Sequence, residues 1–521
     1  MVRLRSRYKK KQQQSNEQQD QNNFSLELSK QLKDNVDHLK QMLGNPFDLK
    51  IREFSVADKQ CAVAYIAGLV DNDFLHNYIM KDLQVELDFK QDLPQDSKKL
   101  LQVIEQDVIS ATAIQHGKSM DEVSLAILSG ETIVYLDGVA EVLMINTTGG
   151  ENRSIEEPQS EGVLRGPRDG FVENFQINLS LVRRRLKDPN LRIKTHKTGK
   201  RSKKTLAVIY IEGIVHPNIL TELNKRLKSI NIDDPLGSGA IEQWIEDSYL
   251  SPFPLVSNTE RPDVVENAII NGRIAIIVEG TPFALIVPTT IGDVLKSPED
   301  YYNRWTIGSL IRLLRYFAAF LAIFLPSLYV ALTSYHVGLI PSALAFFIAA
   351  SREGVPFSST IEAFLMVTTL ELLREAGARL PKAIGQTIGI VGGLVIGEAA
   401  VSAGIVSPIM IIVVALNAIA SFAIPDYSTA STFRILLYFF LIAASILGLY
   451  GIILAYIMLN IHIVNLKSFG IPYSAPFSPG FLSDWRDLIF KLPVNFRKQK
   501  RPIYLQPGDK KSSSEEGGNN N

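Results

Sequence analysis

The sequence predicts an α/β soluble N-terminal domain made of two related subdomains, followed by an all-α multi-pass membrane domain. Three observations lead there. A pair of patterns occurs twice, in the same order, before residue 300. Charges run through the chain up to about Tyr302, whereas apolar residues dominate from Leu310 to Val464. Beyond them the chain turns polar again. At 521 residues it is also too long for one ordinary core.

The duplication defines the soluble part. The run Ala62–Val70 (AVAYIAGLV) resembles Ala207–Val215 (AVIYIEGIV), and Gly130–Thr147 resembles Gly272–Thr289. The offsets are 145 residues from Ala62 to Ala207 and 142 from Gly130 to Gly272. Each unit is expected to start with a β-branched apolar strand and to continue into helix, such as Ile219–Leu227. Each should end in a hairpin around Asp137-Gly138 or Glu279-Gly280, where glycine accepts the positive φ of a tight turn. Leu26, Leu28, Leu32, Val36, Leu39 and Leu43 mark an amphipathic helix that packs on its own domain. Phe171, Phe175, Leu179 and Val182 mark another between the copies.

These patterns divide the chain. Residues 1–23 are expected to form a disordered, basic, Gln-rich arm, solvated or drawn to anionic lipid, and 24–160 the first subdomain. Residues 161–300 hold the connecting helix, a basic run and the second subdomain. The membrane domain is 301–466 and the cytosolic tail 467–521, disordered from about 506. Six basic residues (Arg3, Arg5, Arg7, Lys9, Lys10 and Lys11) precede no apolar stretch, so the arm is not a secretory signal. The basic run Arg192, Lys194, Lys197, Lys200, Arg201, Lys203 and Lys204 lacks interleaved aromatics. It reads as a solvated hairpin loop, with a lipid-contacting loop as the alternative, and not as a nucleic-acid site. Formal net charge is zero and names no partner. The single cysteine, Cys61, forms no internal disulfide.

Four to six segments fit the membrane block, given about 20 apolar residues per crossing. The candidates are Leu310–Tyr335, expected to kink at Pro326, then Gly338–Ala350, Phe357–Glu375, Ile384–Ala403, Ile405–Ile424 and Phe433–Val464. Arg304, Arg312 and Arg315 lie at the near end of the first, and Lys467, Arg486 and Lys491 follow the last. Positive charge favours the cytoplasm, so both ends should face it and the crossings should be even in number. Arg374, Arg379 and Lys382 strain a six-span count.

Two sets of residues in this block are candidates for function. Gly385, Gly389, Gly393 and Gly397 are four apart and share one helix face, where another backbone can approach closely. That approach is within one subunit or between subunits, around a pore. The second set is charge and polarity at membrane depth: Glu362, Glu371, Glu375, Glu398 and Asn417, candidates for an ion path or gate. Ser359 and Glu362 also match a capping box, and Glu371 and Glu375 lie near Arg374 as neutralising pairs would. Catalysis has no support: there is no phosphate-binding GxxxxGK(S/T) loop, no HExxH and no GxSxG. The seven histidines show no metal-ligand spacing, and no cofactor is expected.

Five stretches carry a family resemblance: Glu161–Phe175 (EGVLRGPRDGFVENF), Tyr249–Val264 (YLSPFPLVSNTERPDV), Pro298–Trp305 (PEDYYNRW), Ser351–Ser358 (SREGVPFS) and Leu370–Glu398. In this order they resemble the A subunits of spore germinant receptors, the GerA family. Arg165, Gly166, Pro167, Glu260, Arg261 and Pro262 lie in the first two. The resemblance implies a multi-pass protein of the spore inner membrane, with a transporter-like B subunit and a lipoprotein C subunit as partners. It implies sensing of small nutrients that commits the spore to germinate. A homo-oligomeric signal transducer or nutrient-gated cation channel fits the glycine face beside a polar soluble domain. A non-conducting scaffold for B and C, or a secondary transporter, are the alternatives.

Overall fold

The computed structural model describes residues 27–86, 93–111, 113–149, 157–379, 393, 395–480, 484–493 and 501–505. The basic arm lies outside them, as do Gly385, Gly389 and residues 506–521.

The first unit opens with α1 (Leu32–Leu43), whose Leu32, Val36, Leu39 and Leu43 form one buried stripe at helical spacing. Gly44 closes it in the left-handed conformation, φ 71°. Strands β1 (Leu49–Val56), β2 (Lys59–Ile66), β3 (Ile114–Gly117), β4 (Glu131–Leu136) and β5 (Val142–Asn146) form an antiparallel sheet in the order β1-β2-β4-β5-β3. With α1 and α2 (Met120–Leu128) against one face, the strands bury apolar residues on both sides.

The second unit repeats the plan. Strands β6 (Leu191–Thr198), β7 (Lys204–Ile211), β8 (Ser257–Thr259), β9 (Ile274–Val278) and β10 (Ala284–Val287) pair in the order β6-β7-β9-β10-β8. The helix between the units, α3 (Phe175–Arg185), buries the predicted Phe175, Leu179 and Val182. Its Arg183 forms a fully buried, bidentate pair with Asp48 of the first unit at 2.9 and 3.0 Å. Helices α4 (Pro217–Ser229), α5 (Ser238–Ile245) and α6 (Pro262–Ile270) complete the unit.

Two expectations are corrected here. Each unit begins one strand earlier than its apolar run, with β1 and β6. Both are edge strands with polar side chains on one face, so neither shows a continuous apolar signal. The basic run is therefore mostly the edge strand β6 with its turn into β7. Lysines there oppose further strand pairing. The predicted hairpin turns are present, with Gly138 at φ 92° and Gly280 at φ 80°.

A helical part follows: α7 (Glu299–Tyr302), α8 (Trp305–Ser334), α9 (Ser342–Ser351), α10 (Ser359–Arg379), helical residues 395–402, α11 (Pro408–Phe422), α12 (Tyr427–Leu447) and α13 (Leu449–Asn465). Among the described residues, α8 and α12 are long and apolar enough to cross a membrane, while α9, α11 and α13 are shorter apolar helices. Pro326 lies inside α8, which continues to Ser334. The expected single segment Phe433–Val464 is instead two helices packed on each other. Gly448, at φ 60° and ψ −135°, ends α12 and starts α13, a reversal that apolar content alone does not reveal.

After α13 the chain returns to the second unit, where Phe469 and Leu505 are buried in its core. The polar composition of 467–505 conceals these few apolar anchors.

Candidate functional site: the joint between soluble and helical parts

The chain passes from the second unit into α8 through a short elbow, α7, and two polar networks fix that elbow. In the first, Arg261 stands just before α6 with its side chain fully buried. It donates Nε to Asp263 Oδ1 at 3.0 Å and Nη2 to Asp263 Oδ2 at 2.9 Å. Its Nη2 also donates to the Pro167 carbonyl at 2.9 Å, and Tyr302 of the elbow donates its hydroxyl to Asp263 at 2.6 Å. Glu260 accepts from the amides of Gln159 and Ser160 at 2.6 and 3.1 Å. Gly166, at φ 144°, lies against the Tyr302 ring, where an added Cβ would come within 2.8 Å. The two motifs thus meet: Gly166, Pro167, Glu260 and Arg261 share one knot, and Pro262 starts α6. Arg165 is exposed.

The second network locks α8 to the elbow and the returning tail. Asp300 of α7 is 1% exposed and takes Arg312 Nε at 3.1 Å and two nitrogens of Arg315 at 2.8 Å each. Arg312 also donates to the Asp487 carbonyl at 2.8 Å. Lys491 donates to the carbonyls of Asp300, Tyr301 and Asn303 at 2.7, 3.1 and 3.0 Å. The elbow and the start of α8 thus meet at one carboxylate, and the distant tail closes over them through Asp487 and Lys491. Buried charges survive only when paired and hydrogen-bonded, so this geometry resists separation. Sequence reading took Arg312 and Arg315 as markers of orientation. The signal it passed over was the missing counter-charge for two cations inside an apolar helix.

A cavity of about 1110 Å³ lies beside the joint, lined among others by Glu161, Asp263, Asp293, Tyr302, Asp426 and Tyr504. Burial alone would raise the Asp293 carboxyl, but Arg273 and Lys296 outweigh it and hold it well below the usual range. At Glu161 the Thr259 hydroxyl and nearby Arg261 offset burial only in part, and at Glu242 only Asn258 opposes it. Burial pushes each up to about 7, helped by Asp426. The ordinary value is 4.5. Between about pH 4.5 and 7 the folded chain binds more protons than the unfolded one, so stability falls as pH rises through this window and levels above it. Thermal unfolding should show that decline, and Glu161→Gln should flatten it. An unchanged profile in the variant would show that Glu161 does not contribute.

The membrane candidates are placed as follows. Glu362 is fully buried and accepts from Arg352 at 3.0 Å and from the Ser407 amide and hydroxyl at 3.0 and 2.9 Å. It does not close a capping box with Ser359, because α10 starts one residue earlier than that motif requires and Ser358 caps it. Glu371 bridges Arg374 at 2.6 Å and Arg434 at 3.3 Å. Glu375 pairs with Arg379 on the surface. Asn417 of α11 donates to the Ala322 carbonyl of α8 at 2.8 Å. Glu398 is exposed, apart from these groups. Gly397 is buried near Ile411 of α11, while Gly393 is exposed, with no described residue within 4 Å of an added Cβ. Among the described residues, no group of three or more His, Cys, Asp or Glu could hold a metal ion.

Comparison with known proteins gives a consistent set of relatives. Residues 37–504 match the family model of the Bacillus/Clostridium GerA spore germination protein. The spore germination protein GerLA of Bacillus cereus is 47% identical over 93% of this chain and 97% of its own length. The spore germination protein B1 of Bacillus subtilis (strain 168) is 43% identical over 93% of this chain and 99% of its own. A solved N-terminal domain of the A subunit of the Bacillus megaterium spore germinant receptor GerK3 aligns with a TM-score of 0.40 and 32% identity, covering 50% of this chain and 96% of that domain.

Proposed function

The chain belongs to the GerA family of spore germination proteins, and from that premise we propose that it is the A subunit of a nutrient receptor complex in the spore inner membrane, acting as a homo-oligomeric transducer or nutrient-gated cation channel. Its partners in this reading are a transporter-like B subunit and a lipoprotein C subunit. The observation that carries it is the joint: a buried carboxylate, Asp300, ties α8 rigidly to the soluble units. A displacement of those units would reach the membrane helices through it. Ligand binding shifts such a two-state equilibrium only through differential affinity for the states.

The exposure of Gly393, with no described residue within 4 Å of an added Cβ, supports assembly of several copies, since a small-residue face can accept a helix from another subunit. Full complexes in liposomes, with B and C subunits, should release potassium on nutrient addition. Gly393→Leu should leave the single chain folded, since no described residue lies within 4 Å of an added Cβ, yet abolish assembly and release. Normal release by this variant would remove the glycine face from the pathway. Nutrient binding without flux in the unaltered complex would favour a non-conducting scaffold.

A further inference from the structure

The Tyr249–Val264 stretch contributes Glu260 and Arg261 to the joint, but its first residues face outward. Tyr249 is 85% and Leu250 80% exposed, although both belong to the soluble unit. The residues that follow are pinned against the helices. Ser251 Oγ lies 3.1 Å from His462 Nε2, in the last turn of α13. Thr432 of α12 donates to the Pro252 carbonyl at 2.5 Å, and Asn258 donates to Ser428 at 3.4 Å. Phe253 stacks near His462 with ring centroids 6.1 Å apart. The loop is therefore fixed beside the start of α12 and the end of α13.

Other exposed aromatics mark the same end of the bundle. Trp305 begins α8 and Tyr427 begins α12, both exposed. Tryptophan and tyrosine concentrate where a bilayer meets water, because their rings are apolar and their tips polar. Along α13, Met458 and Ile461 continue an exposed apolar surface up to His462. The acidic side chains close by are engaged: Asp247 accepts from Arg226 at 2.8 Å and from the Phe469 amide at 2.7 Å, Glu246 from the Leu255 backbone, and Asp426 from the Thr429 amide and hydroxyl.

We propose that Tyr249 and Leu250 insert into the headgroup region of the bilayer crossed by the helices, as a lipid anchor of the second soluble unit. The occupant is lipid, because the loop continues the outward apolar surface of α13 and lies beside the start of α12, at Ser428 and Thr432, next to exposed Tyr427. This rests on the reading that the helices cross a membrane. The anchor would hold the second unit against the bilayer beside the joint.

The test uses the full chain in phosphatidylglycerol–phosphatidylcholine liposomes, with Leu250→Cys carrying an NBD fluorophore. Cys61 does not compete for label: it is fully buried, and desolvation pushes its thiol up to about 12. A second probe at Ile457→Cys, exposed on α13, reports the bilayer itself. The expected result at residue 250 is blue-shifted emission, quenching by shallow doxyl lipids and loss of iodide quenching. Iodide quenching without doxyl quenching would place the loop in water and overturn the anchor. Protection from both quenchers would place it under protein, such as a second copy, and overturn it equally. If the Ile457 probe escapes doxyl quenching, the membrane reading of α13 fails, and the anchor with it. A quenched Ile457 with an iodide-accessible residue 250 sinks the anchor alone.

Discussion

Asp300→Asn is expected to destabilise the joint by about 3–5 kcal/mol, the usual cost of removing one partner from a buried ion pair. Here one carboxylate serves two arginines, and all three side chains are 8% exposed or less. Asparagine keeps an acceptor oxygen but loses the charge, and its amide points a donor toward a guanidinium. Arg312 retains the carbonyl and, at 3.3 Å, the carboxylate of Asp487, and Arg315 retains the Leu295 carbonyl, so the two cations are left sharing less than their full counter-charge. Thermal unfolding of the detergent-solubilised chain should show a midpoint lowered by roughly 10 °C. Adding Arg315→Leu should recover part of the loss, since it removes one of the cations left unbalanced. Without that recovery, the damage would lie elsewhere than in charge balance. Spores carrying Asp300→Asn should lose nutrient response even where the protein reaches the membrane.

How much of this was legible in the sequence depends on the range of the interaction involved. The two soluble units were legible because each central strand is buried on both faces and leaves an unbroken apolar run, as in Ala62–Ile66 and Leu206–Ile211. Their edge strands were not, since Arg192 and Lys194 interrupt β6 where no partner strand covers it. Gly448 hid a chain reversal within one long apolar stretch. The knot at Arg261 was legible only as two motifs. Nothing local says that Arg261 reaches back to Pro167, nearly a hundred residues earlier. The anchoring of the tail by Leu505 was invisible for the same reason: its partners are set by the tertiary fold. Asn417 looked like a lone polar residue in an apolar run, yet it satisfies a carbonyl of α8 that no sequence pattern exposes.

Glu362 is the second position where one substitution should have a large effect, and the form of that effect separates a structural carboxylate from an ion-path carboxylate. Its two oxygens are engaged on different sides: Oε1 by Arg352, Oε2 by the amide and hydroxyl of Ser407, the residue that caps α11. A carboxylate at a helix N-terminus stabilises the free N–H groups and the dipole there, and burial strengthens the interaction. Glu362→Ala should remove the tie between α10 and α11 and cost about 3 kcal/mol or more. Glu362→Gln should be milder, because its carbonyl can still accept from Ser407 while the pairing with Arg352 is lost. Both losses should appear in thermal unfolding and in the yield of assembled complex. Ion selectivity of any complex that still assembles should be unchanged, since the carboxylate has no free oxygen with which to strip water from a passing cation. Altered selectivity in a stably assembled Glu362→Gln complex would show that the Arg352 and Ser407 contacts open during conduction. Glu362 would then belong to the path and not only to its walls.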